Sequence, residues 1–302
     1  TWDVSTNYGQ NDFAFGVINS LNTSLGDSSQ TEFNNGALVY DQWIVDADAN
    51  TGLDLGLPGD VFFTIGAEYR RESYKIEQGE EASYMTAVDA NGNPVAAGGA
   101  QVLSGFGPES VTDKSRHNIS VFAEFDAYFT ENWNVVFASR YEDYSDFGDT
   151  FNSKLATRYS INYNLSLRGA ISTGFRAPSL AQTSYRQIST VLENNQPFEV
   201  GLFPADAPAA IALDAKKLDA EDSVNITAGF IYTQDSFSLT VDAYRIDIDD
   251  RVVLSENLTG PAVQQILANA GELNTESVRY FTNAIDSRTQ GCLLFISDAV
   301  YE

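Results

Sequence analysis

The sequence predicts an all-β chain whose strands form an antiparallel transmembrane β-barrel. Three observations carry that expectation: a period-two alternation of apolar and polar side chains, a wealth of aromatic residues, and short turns alternating with long polar links.

Among 302 residues there are 19 Phe, 15 Tyr and 3 Trp against 8 Pro and one Met, a composition that favours strands. Apolar residues make up 43%, too many for a disordered chain. The strictly apolar runs (209–213 and 292–296) are far shorter than the about 20 residues that a transmembrane helix needs. Barrel strands need no such run, because lipid-facing and lumen-facing side chains alternate along them.

The clearest strand pair lies in the middle of the chain. Ile119, Val121, Ala123, Phe125, Ala127 and Phe129 share one face, with Ser120, Phe122, Glu124, Asp126 and Tyr128 on the other. A turn at 130–132 leads to Trp133, Val135, Phe137, Ser139 and Tyr141, with Asn134, Arg140 and Glu142 opposite. The unit repeats. Thr157, Tyr159 and Ile161 precede a turn at 162–164 and the strand of Leu165, Leu167, Gly169 and Ile171. Val224 to Tyr232 and Phe237 to Ala243 flank a turn at 233–236, and Trp43, Val45 and Ala47 precede a turn at 56–60 and Phe63 to Tyr69. About ten strands result. At 244–248 the apolar positions switch parity, as a β-bulge or the end of a membrane band would cause.

The short turns near 56–60, 130–132, 162–164 and 233–236 alternate with links at about 78–113, 176–219 and 255–276 and a compact one near 145–151. That asymmetry marks an outer-membrane barrel, with periplasmic turns and long extracellular loops. A soluble sandwich or solenoid also alternates, but nothing gathers its long loops at one end. Within the links, 89–94 reads as a loop tip, and Pro261 with Gly271 brackets a short helix. Trp43, Tyr128, Phe129, Trp133, Tyr232 and Phe237 sit at strand ends, where interfacial aromatics belong.

Several chemistries are excluded or disfavoured. Forty-two acidic against 17 basic residues give a charge of −25, which makes nucleic acid a poor partner. With Cys292 and His117 the only ones of their kind, no disulfide framework, multi-cysteine zinc site or multi-histidine metal site can be built. Residues 46–57 echo an EF-hand start, but Gly52 is one place late and Leu57 stands where Glu is needed. His117 and Ser120, three apart on one strand, face opposite ways, so no catalytic triad is expected there and no enzyme. No cofactor is expected.

Residues 140–180, RYEDYSDFGDTFNSKLATRYSINYNLSLRGAISTGFRAPSL, resemble the mid-to-late barrel of TonB-dependent outer-membrane receptors. Residues 66–72 (GAEYRRE), 218–221 (LDAE) and 241–248 (VDAYRIDI) support the likeness, which runs through most of 1–291. The resemblance implies a bacterial outer-membrane barrel of about 22 strands around a plug domain, of which this chain supplies about ten. It implies uptake of a scarce nutrient (a ferric siderophore, cobalamin or an oligosaccharide) energised by the TonB complex acting through the plug. No plug is recognisable, no TonB box lies ahead of Thr1, and a signal peptide is missing, so the chain is expected to be part of a longer protein. After Gly291 the likeness fades and 292–302 lose the alternation, the mark of an atypical tail from a truncation or a reading-frame error. Lumen-side Glu68, Arg70, Glu124, Asp126, Arg140, Arg158 and Arg168, with Arg176 near the outer rim, are the candidates for ligand or plug contact, although a barrel interior is polar in any case. A diffusive porin and a soluble β-rich adhesin or carbohydrate-binding module are the alternatives.

Overall fold

A computed structural model describes residues 1–59, 61–193, 196–272 and 275–298. Ten long strands succeed one another as an antiparallel meander: β1 (Trp2–Ile18), β2 (Glu32–Leu53), β3 (Val61–Glu77), β4 (Thr112–Thr130), β5 (Trp133–Tyr144), β6 (Gly148–Ser160), β7 (Leu165–Arg176), then β10 (Glu221–Gln234), β11 (Phe237–Leu254) and β13 (Ser277–Asp298). The ten strands expected are thus the ten of the wall, and the sheet they make is open. Three further strands lie inside links that the sequence pattern assigns to loops. β8 (Gln187–Glu193) and β9 (Gln196–Phe203) form a hairpin, β9 runs parallel to the upper end of β13, and β12 (Leu258–Thr259) pairs there too. These strands are short (seven, eight and two residues), so no membrane-length alternation announces them.

Every connection at one end is short: 54–60, of which 54–59 are described, then 131–132, 161–164 and 235–236. The opposite end carries 19–31, 78–111, 145–147, 177–220 and 255–276. These links hold the helices α1 (Glu81–Tyr84), α2 (Leu180–Ser184), α3 (Pro208–Ala212) and α4 (Pro261–Asn269). α2 opens on a capping box, Ser179 with Gln182, and α4 starts at Pro261 and is followed by Gly271 at φ 90°, as the Pro/Gly spacing implies. At the 89–94 tip, backbone N–H groups of Asn93 and Asn91 donate to Asp89 and hold its carboxyl below the usual range.

Among the described residues, the clusters of buried apolar side chains lie in these links and strand tops, while Val61 and Ala127 are buried singly at the short-turn end. Tyr74, Ile76, Phe106 and Leu180 form one cluster; Phe203, Ala209, Leu267 and Val278 form another. The span of wall between the two ends is a single sheet with one face turned to lipid and the other to the lumen. Directly opposed residues share a face, and the register aligns Phe125 with Phe137, Val121 with Tyr141 and Leu155 with Ile171 on the outside. Phe137 and Ile171 are each 48% exposed, the arrangement of a sheet face that meets acyl chains. No helix among the described residues is long and apolar enough to cross a membrane.

Two irregularities have simple accounts. The β10–β11 register is unbroken through Asp222↔Asp249, so the parity switch at 244–248 is not a bulge. It is the end of the lipid band: Tyr244, Ile246 and Ile248 face the lumen, and the outward positions above Ala243 are Arg245, Asp247 and Asp249. The register shift comes later, between Ile248 and Arg251 against β13, with Asp250 at φ 55°. At the other end of β13, pairing continues through Ile296 with Leu239 and Asp298 with Phe237. The last four residues of the atypical tail, 299–302, lie outside the described residues.

Candidate functional site

On the lumen side, even-numbered positions of β2, β3, β4 and β5 meet side by side. The register places Asp46 beside Glu68, Glu68 beside Ser120 and Ser120 beside Glu142, with Ile44, Arg70, Asn118 and Tyr144 forming the next row. Four strands therefore bring charges from distant sequence into one patch.

Within it, Glu68 is shared by two guanidinium groups, Arg70 at 2.7 Å and Arg140 at 3.1 Å. Arg140 also donates to Glu142 at 3.0 Å and lies over the Phe122 ring, 5.6 Å from its centroid. One row higher, Arg116 donates to Glu72 at 2.6 Å and to the carbonyl of Pro178 at 2.7 Å, while Tyr40 Oη donates to the same Glu72 carboxylate. Arg116 is stacked 5.4 Å from the Tyr144 centroid. Glu68, Arg70, Arg140 and Arg176 border one open cavity of about 540 Å³ together with Arg116 and Glu142.

Half of the expected ligand or plug contacts, Glu68, Arg70, Arg140 and Arg176, thus converge. The other four do not join them. Glu124 lies in a neighbouring depression of about 480 Å³ with Arg140 and Lys154. Asp126 accepts a hydrogen bond from Asn134, Arg158 donates to Ser166 at 3.4 Å, and Arg168 forks onto Asp242 on β11. These three are engaged in the wall towards the short-turn end. Arg176 is a loop staple: it forks onto Glu221, which also accepts from the Val252 N–H at 2.7 Å, so the first residue of β10 is tied to the last of β7.

Sequence reasoning missed Tyr40, Glu72, Arg116 and Glu221. Parity offered a signal for Glu72, two places beyond Arg70, and for Arg116, two before Asn118. Nothing local distinguishes them from other lumen-side charges until the strands are paired.

The interfacial aromatics fall into two belts. Phe129 and Trp133 are 5.4 Å apart and Tyr232 and Phe237 6.5 Å apart beside the short turns. Trp43 is at the opposite level, edge-on to Tyr69 at 6.1 Å, with Tyr69 stacked 6.4 Å from the outward-facing His117. Tyr128 departs from the expectation. Its register partner is Asn134, so it shares the lumen face with Asp126, and the register shift follows only between Tyr128 and Thr130. Its level suits a girdle but its face does not.

Comparison with known proteins agrees with this architecture. A family model described as TonB dependent receptor-like, beta-barrel matches residues 1–291. The ferric enterobactin receptor PirA of Pseudomonas aeruginosa is 21% identical over 212 residues, covering 68% of this chain and 26% of the relative. The probable TonB-dependent siderophore receptor PirA of Acinetobacter baumannii is 22% identical over 218 residues, 70% of this chain and 26% of the relative. The chain therefore spans about a quarter of the length of these curated relatives. The crystal structure of the siderophore receptor PirA from Acinetobacter baumannii superposes with a TM-score of 0.64 at 17% identity, covering 98% of this chain and 39% of that one. With a family match over nearly its whole length, the chain belongs to the TonB-dependent receptor-like β-barrel family, whose members are outer-membrane receptors and not enzymes.

Proposed function

We propose that this chain forms wall and outer loops of a receptor that imports a ferric siderophore, energised by the TonB complex through a plug domain of the whole protein. One observation carries the proposal. All the long links gather at one end of the wall and lead down to the lumen-facing lattice of Glu68, Arg70, Arg140 and Glu142. The names of the relatives, a ferric enterobactin receptor and a siderophore receptor, point to the same cargo.

The parts have distinct roles. The loops, which carry the buried clusters around Phe106 and Phe203, form a packed cap able to hold a ligand in a set geometry. Below it, the lattice presents fixed donors and acceptors to the plug or the passing ligand. Its arginines are held in place by carboxylates, so no side chain has to reorganise before contact. The outward apolar band and its two aromatic belts keep the wall in the bilayer.

The test is iron uptake by the full-length receptor in cells stripped of their own siderophore receptors, with and without an intact TonB system. Uptake of a ferric siderophore that stops when TonB is inactivated supports the proposal. Passive entry of small solutes independent of TonB would instead establish a diffusive porin.

A further inference from the structure

The five links at the loop end carry fourteen Asp and Glu residues against three cations, Arg186, Lys216 and Lys217. Two of those cations are already engaged. Arg186 forks onto Glu272 at 2.8 and 2.9 Å and lies 4.5 Å from the Phe203 centroid, and Lys217 donates to the Asp146 carbonyl at 2.7 Å. The 78–111 link has four carboxylates and no cation at all.

Between that link and the β9–β13 junction lies a cavity of about 430 Å³. This is within the ~300–1,000 Å³ of small-molecule sites. Its walls include Glu109, Glu199 and Glu276 with Tyr84, Thr86 and Ser104, and no Lys or Arg. The acids belong to the frame of the site: Glu276 accepts from the Glu199 N–H at 3.2 Å, and the Glu276 N–H donates back to the Glu199 carbonyl at 3.0 Å. Deeper in the lumen, the arginines nearest the loops are paired with carboxylates. Arg70 and Arg140 are matched by Glu68 and Glu142, Arg116 by Glu72, and Arg176 by Glu221.

A cleft lined by one sign of charge concentrates ligands of the other sign and repels its own. Iron(III) held by three catecholate dianions is a trianion. Held by three hydroxamate monoanions it is neutral, and with a pendant amine it is a cation. We infer that the chelate admitted by these loops is a neutral or cationic iron complex of the hydroxamate type, seated in the Glu109–Glu199–Glu276 cavity, and not a tris-catecholate. This rests on the uptake reading above and narrows its substrate class.

The full-length receptor, expressed in cells lacking other siderophore receptors, is offered three radio-iron chelates: an amine-bearing trihydroxamate, a neutral trihydroxamate and a tris-catecholate. Both hydroxamates are expected to enter, and the tris-catecholate at least tenfold less well. The triple variant E109Q/E199Q/E276Q is expected to narrow that gap about tenfold, the size of three screened like-charge interactions with a trianion. Should that variant fail to assemble, the unaltered receptor gives the same reading: added salt weakens binding of the cationic chelate and leaves the neutral one unchanged. Preferential entry of the tris-catecholate, a gap unmoved in an assembled variant, or salt-independent binding of the cation overturns the inference and leaves the uptake function standing. Entry of none of the three overturns both.

Discussion

Replacing Arg116 by Met in the full-length receptor tests whether the upper lattice holds the loops in place. The guanidinium and the Glu72 carboxylate are 7% and 11% exposed, and their atoms are 2.6 Å apart. Removing one partner of a buried pair strands the other, at about 3–5 kcal/mol. Tyr40 still donates to Glu72, which sets the expectation at the lower end, about 3 kcal/mol. The Pro178 carbonyl also loses its donor, freeing the start of the 177–220 link. The assay is urea unfolding of the receptor in detergent micelles, followed by tryptophan fluorescence, with limited proteolysis of that link alongside. The double variant R116M/E72M no longer strands the Glu72 carboxylate and should be more stable than the single one, falling short of the parent by about 1 kcal/mol for each hydrogen bond that Tyr40 and the Pro178 carbonyl lose, with the 3.7 Å contact to the partly exposed Asp146 lost in both variants. A single variant within about 1 kcal/mol of the parent, or a double variant no better than the single, would refute the reasoning.

Other predictions test the face assignment and the close contacts. Phe137→Arg puts a charge at the middle of the lipid band and should cost about 2–4 kcal/mol of folding stability, whereas Ala138→Arg, one residue on and facing the lumen beside Glu124, should fold normally. Equal effects in a detergent refolding assay would remove the inside–outside assignment of β5. A Cβ at Gly66 would lie 2.3 Å from the Phe122 ring, itself under Arg140, so Gly66→Ala should destabilise by about 1–3 kcal/mol; an unchanged unfolding midpoint would mean that the ring moves freely. Arg176→Ala leaves Glu221 with the Val252 N–H as its remaining donor and should make the 177–220 link more protease-sensitive, with Arg176→Lys intermediate because a lysine cannot fork. Identical digestion of all three proteins would show that the staple is idle.

The strand count, the end-to-end asymmetry and the identity of the outward face were legible because the side-chain period of a strand is two and lipid selects one face of it. Ile119 to Phe129 and Trp133 to Tyr141 announce their faces without any partner. The 140–180 motif and its flanking stretches carried the family. The lattice was only half legible. Parity marked Glu68, Arg70 and Arg140 as inward but could not separate them from Arg158 or Arg168, which are equally inward and lie nearer the turns.

What the sequence by itself determined was therefore local or compositional: which residues alternate, where the chain turns, and that the chain is strongly acidic. Tertiary structure alone decided register, and register decides everything that depends on a second strand. It made Arg176 a staple for Glu221, and joined Tyr40, Glu72, Arg116 and Pro178 from four distant stretches. It also built β8, β9 and β12 inside links that show no strand pattern of membrane length. The physical reason is that alternation is written in the covalent geometry of one strand, whereas ion pairs, ring stacking and loop cavities arise only between strands, at heights that the alignment of neighbours sets.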